Sequence, residues 1–191
     1  MFAALPPCFG EGGGKGKSPS MTAPLVIDPS VAVLADAHAV KAVEGRTFFV
    51  TDVTGGKGGD SAVGYTRTGR KTVSPIICKP AAAEAVRLTV ANALEAQGLL
   101  AESAKSASFV IDVAADLALT EDTRKVHQSI SAVLKVEVTV WDVGDPSRVK
   151  KFKMEAVGER KTFDTTKQAV VAAREAVRTA VGEILKSLDS L

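Results

Sequence analysis

The segment "GYTRTGRKT", Gly64 to Thr72, holds residue types that can bind phosphate. A phosphate-binding P-loop has the pattern G-x-x-x-x-G-K-[ST]. Its backbone N–H groups wrap the phosphates, while a lysine and a hydroxyl occupy fixed places. Gly64 and Gly69 have the right separation, but Arg70 intervenes, and Lys71 and Thr72 fall one residue late. The lysine of such a loop also stands at the start of a helix, whose free N–H groups hold the anion. Here "VSPII" follows, and its proline and β-branched residues predict an extended segment instead. The whole stretch from Gly55 to Thr72 is therefore read as a flexible basic loop. Its Lys57, Arg67, Arg70 and Lys71 are candidates for contact with an anionic surface or a partner. A cytosolic or periplasmic phosphate- or nucleotide-binding protein that uses this loop is the alternative by class.

The remaining reactive side chains are few. There are two cysteines, Cys8 and Cys78, without C-x-x-C spacing, and two histidines, His38 and His127, far apart. That set predicts neither a zinc site nor any other metal site. Cys78 stands in the apolar "VSPIICKP", the setting of a buried, inert thiol. Asp112 and Asp116 lie four apart on one strand face, where solvation accounts for them. His127, beside Arg124 and Lys125, reads as a loop residue. No serine has a paired histidine and acid at a recognisable spacing. No catalytic residue and no cofactor are assigned. Trp141, at a strand end, either covers the sheet edge or belongs to a binding face.

Composition narrows the field further. The chain has 191 residues, enough for one domain plus tails, and 46% of them are apolar. The formal charge of +2 lacks the basic excess of a nucleic-acid-binding protein. No apolar run reaches the roughly 18 residues of a membrane-spanning helix.

The first twenty residues differ from the rest. Gly, Lys, Ser and Pro dominate from Gly10 to Ser20, the composition of a flexible tether. Before it stands "LPPC", with a leucine three residues ahead of Cys8, as in a bacterial lipoprotein cleavage site. The cysteine would become the first mature residue and carry the acyl chains. Only seven residues precede Cys8, and they form no basic and apolar signal. Either the precursor is truncated, or Met21 is the true start and the protein is cytoplasmic.

Residues 21–191 read as a single domain. "LVIDPSVAVLADAHAV" is an extended segment leading into it, and Arg46–Val53 reads as a strand. A helix follows Pro80, with Ala83, Val86, Val90, Ala93 and Leu94 on one face and Gly98 as its C-terminal cap. Three alternating strands come next. Their inward rows are Phe109, Ile111, Val113, Ala115, Leu117 and Leu119, then Ile130 to Val140 in steps of two, then Phe152, Met154 and Ala156. "VGDPS" turns the chain between the second and third. Thr165 with Gln168 matches a capping box for a last helix, whose apolar stripe runs from Val170 to Leu188. The expected fold is α+β: a mostly antiparallel sheet of about four strands, with two long helices packed on one face. The opposite face would carry Lys135, Glu137, Trp141, Lys151 and Lys153, a candidate partner-binding surface.

In layout the domain resembles the YajG-like family of bacterial lipoproteins. The resemblance runs through "APLVIDPSVAV", "FFVTDV", "AVRLTVANALEAQGLL", "SFVIDVAADLAL", "SAVLKVEVTVWDVGDPSRVKKFKMEAVGE" and "TKQAVVAAREAVRTAVGEILKSL". It implies a lipid anchor at Cys8 and a place in the cell envelope, at the outer membrane facing the periplasm. It implies no enzymatic activity. The expected partner is an envelope protein or a component of the glycan layer, with no nucleic acid.

Overall fold

The computed structural model describes residues 20–21, 23–31, 38–41, 45–51, 62–69, 72–122, 128–162 and 165–191. Eight strands and two helices occur among them. The strands are β1 (Ser20–Met21), β2 (Leu25–Ile27), β3 (Phe48–Val50), β4 (Ala62–Gly69), β5 (Thr72–Cys78), β6 (Phe109–Asp122), β7 (Gln128–Asp142) and β8 (Val149–Thr162). The helices are α1 (Ala82–Ala96) and α2 (Thr165–Leu188).

All the strands join one sheet in the order β1-β5-β4-β6-β7-β8, with β2 also on β5 and β3 also on β6. The expectation of about four mostly antiparallel strands is thus corrected. The sheet is mixed: β1 and β2 run parallel to β5, and β3 and β4 run parallel to β6. The antiparallel part is the β6–β7–β8 meander and the β4–β5 pair. Pro75 sits in β5 between the stretch that meets β1 and the stretch that meets β2. Proline lacks the N–H that a ladder uses, and here it falls in the gap between those two pairings.

Alternation along the meander decides what is buried. Ile111, Val113, Leu117 and Leu119 of β6 share a face with Ile130, Leu134, Val136, Val138 and Val140 of β7, and all are buried. Ala156 continues that row on β8. Both helices close over this face and belong to the same core. From α1 come Val86, Val90, Ala93 and Leu94; from α2 come Val177, Val181, Ile184 and Leu188.

Small residues set the helix-to-sheet distance. Ala169, Ala172, Ala173, Ala176 and Ala180 of α2 are all fully buried. Their short side chains bring the helix backbone down onto β8 at Gly158. At the other helix, Gly98 has φ +69°. Its N–H donates to Glu95 O, and the Leu99 N–H donates to Leu94 O, both at 2.9 Å. That pair of bonds is a Schellman ending, which needs a left-handed residue where glycine stands.

The segments ahead of α1 are tied to the end of α2. His38 Nε2 lies 2.7 Å from Asp189 Oδ2, and the Lys41 N–H donates to Asp189 Oδ1 at 2.8 Å. Arg46 Nη2 donates to the Leu191 carbonyl at 3.0 Å. The Val40 N–H donates to Gln97 Oε1 at 2.8 Å, which fixes the same segment to the end of α1.

Candidate interaction face

The side of the meander away from the helices carries its polar side chains. Successive rows cross β6, β7 and β8 in register: Asp116, Lys135, Glu155; then Ala114, Glu137, Lys153; then Asp112, Thr139, Lys151; then Val110, Trp141, Val149. The strand period of two puts all of them on one face. Lys135, Glu137, Trp141, Lys151 and Lys153 therefore lie on one face of the meander.

Within the rows the charges alternate in sign. Lys153 Nζ lies 3.1 Å from Glu137 Oε2, and Lys135 Nζ lies 3.8 Å from Glu155 Oε2. Thr51 Oγ1 donates to Asp112 Oδ1 at 3.1 Å. The ion pairs are well exposed: Lys135 and Lys153 keep 71% and 75% of their side-chain surface. At that exposure each contributes little to stability. A shallow depression of about 500 Å³ lies among them, lined by Ala114, Asp116, Lys135, Glu137, Lys153 and Glu155. Val149 and Val157 stand exposed on the same face.

Asp116 and Glu155 complete these rows, although the sequence reading did not place them in the site. The signal was present in the alternation, since both occupy outward positions of their strands. What was missing was the register, which comes from pairing alone.

Other expected sites fare differently. Lys57, Arg70 and Lys71 lie outside the described residues, as do Cys8 and His127. Arg67 lies on β4, opposite Val73. The loop expected over 55–72 is corrected in part, because Ala62–Gly69 is a strand paired antiparallel with β5. Strand β5 begins directly at Thr72, so no helix opens after Lys71 to hold an anion as a P-loop requires. Cys78 is buried at the end of β5. Burial, and then the nearby Asp28 carboxylate, push its thiol up to about 11. Such a thiol is a poor nucleophile near neutral pH.

Among the described residues, no three His, Cys, Asp or Glu side chains are grouped so as to hold a metal ion. No helix among them is long and apolar enough to cross a membrane.

Comparison with known proteins gives likeness of fold at low identity. No family model and no curated protein matches the chain. A Xanthomonas campestris protein of family DUF330 is similar at 16% identity and TM-score 0.47, over 90% of this chain and 99% of its own. A candidate lipoprotein of Caulobacter crescentus is similar at 14% identity and TM-score 0.40, over 55% of this chain and 78% of its own. A Helicobacter pylori homologue of the neuraminyllactose-binding haemagglutinin is similar at 10% identity and TM-score 0.42, over 83% of this chain and 93% of its own. The YajG-like family is not among these matches, and the likenesses are too distant to carry a functional argument.

Proposed function

We propose that this protein is a non-enzymatic lipoprotein of the cell envelope, anchored through Cys8, whose open sheet face docks another protein or a component of the glycan layer. The observation that supports it is the asymmetry of the sheet. Both helices cover one face, while the other presents ordered charge rows and Trp141 to the outside. An antiparallel sheet with one solvated face is common. Here that face carries opposite charges in fixed places, which suits recognition by complementarity.

The sequence ahead of the domain fits an anchored module. Gly, Lys, Ser and Pro dominate residues 10–19, a composition that suits a tether between an anchor and a domain. Docking needs reach and a surface rather than a catalytic cleft. The outer membrane, facing the periplasm, is the location this reading assigns.

A photo-crosslinking residue placed at Ala114 or Thr139 in living cells tests the docking face. The expected result is an adduct heavier than the chain, and different in mass from two copies of it. The same probe at Arg178, exposed on α2, should give none. Equal adducts from both sides, or none from the sheet face, would overturn the assignment of this face.

A further inference from the structure

Strand β8 ends the sheet order, and among the described residues it pairs with β7 alone. Its pairing with β7 runs from Val149 to Thr162 without a register shift. No proline interrupts it. Long regular edges template further pairing, and proteins usually blunt them with bulges, prolines or charges. β8 has neither of the first two. Its charges deter pairing only where like meets like, and their order along the strand is complementary to its own reverse.

We propose that β8 pairs antiparallel with β8 of a second copy, about a two-fold axis at Met154, so that two sheets become one. In this register Lys153 stands opposite Glu155 of the second copy, and Glu155 opposite its Lys153. Lys151 meets Val157, and Val149 meets Glu159. The charge rows then run on across the seam: Asp116, Lys135 and Glu155 are followed by Lys153 and Glu137 of the second copy. Shifting the axis by one residue either way places Glu155 against Glu155 or Lys153 against Lys153, which is unfavourable for directly opposed residues.

The helix face of the strand agrees with this register. Met154 meets its own mate and Phe152 meets Ala156. Phe152 and Met154 are only partly buried in the single copy, and both pack against its core. The contact is isologous, so it closes as a dimer and leaves no further edge of this kind. It also joins two open faces into one wide surface. The pairing does not depend on the lipid anchor or on the identity of any docked partner.

Light scattering of the full chain, with Cys8→Ser to keep it free of lipid, tests the pairing over a range of concentrations. The expected mass is twice that of one chain. Lys153→Glu creates two like-charge pairs across the seam, as does Glu155→Lys, so each variant should dimerise at least about tenfold more weakly. An equimolar mixture of the two variants makes both pairs complementary again and should restore the dimer. Circular dichroism checks that each variant is folded. A monomeric parent chain, dimers unaffected by either reversal, or folded variants that do not recombine would overturn the proposal.

Discussion

Gly158 of β8 lies directly against the backbone of Ala172 in α2: a Cβ built on Gly158 would stand 2.1 Å from the Ala172 carbonyl oxygen and 3.0 Å from the Ala176 nitrogen. Neither backbone atom can yield without moving the helix. The alanine stripe and this glycine together let α2 settle on the sheet. Gly158→Ala should destabilise the fold by about 3 kcal/mol, in line with overpacking of a close contact. Gly182 is the control, because nothing lies within 4 Å of its Cβ position. Replacing this helical glycine by alanine should stabilise by about 1 kcal/mol. Urea unfolding of the two variants beside the parent measures both.

The two faces of β7 should differ sharply in their tolerance. Leu134 is fully buried, while its neighbour Lys135 keeps 71% of its side-chain surface. Leu134→Ala should cost about 3 kcal/mol from lost transfer and the cavity left behind. Lys135→Ala should stay within about 0.5 kcal/mol, since its ion pair is exposed. The same unfolding curves report this contrast.

The long rows were readable because alternation over a dozen residues admits one burial pattern, as Ile130 to Val140 show. The helices were readable for a related reason: Val86, Val90 and Leu94 recur at helical spacing, and Gly98 marks the stop. Of the short strands, β3 was legible within Arg46–Val53 and β2 within the extended segment ahead of it, but their parallel partners were not, because those lie far along the chain. β4 contains Gly64, Tyr65 and Thr66 in a glycine-rich setting that reads locally as loop. It becomes a strand because β5 and β6 supply partners on either side, and strand preference depends strongly on such context. The open face was legible as a set of outward positions, whereas the alternation of charge across strands needed the register.

Acid stability should depend on Asp189. The Lys41 backbone N–H, and then His38, hold its carboxyl below the ordinary 3.8. A carboxyl depressed in the folded state contributes stability that is present above its unfolded value. That contribution is lost as pH falls through the folded value. Asp28, held low chiefly by the Ser30 hydroxyl, and Glu84, held low chiefly by Arg87, act in the same direction. Asp189→Asn should therefore flatten part of the stability loss below about pH 4. Denaturant midpoints of parent and variant across the acid range check this; superimposable pH profiles would contradict it.

The Cys78 thiol, pushed up to about 11 by burial and by Asp28, should be inert in the folded protein. In the Cys8→Ser chain it is the one thiol left. A chromogenic disulfide reagent at neutral pH should report almost nothing until denaturant is added, and then one thiol per chain. Rapid reaction in the folded state would show that the end of β5 is open.

The proposed lipid anchor at Cys8 is open to metabolic labelling with a fatty-acid analogue. The full-length protein and its Cys8→Ser variant are compared in cells that express the native gene with its own upstream sequence. Label is expected on the parent chain and none on Cys8→Ser. A parent chain that accumulates without label would contradict the anchor.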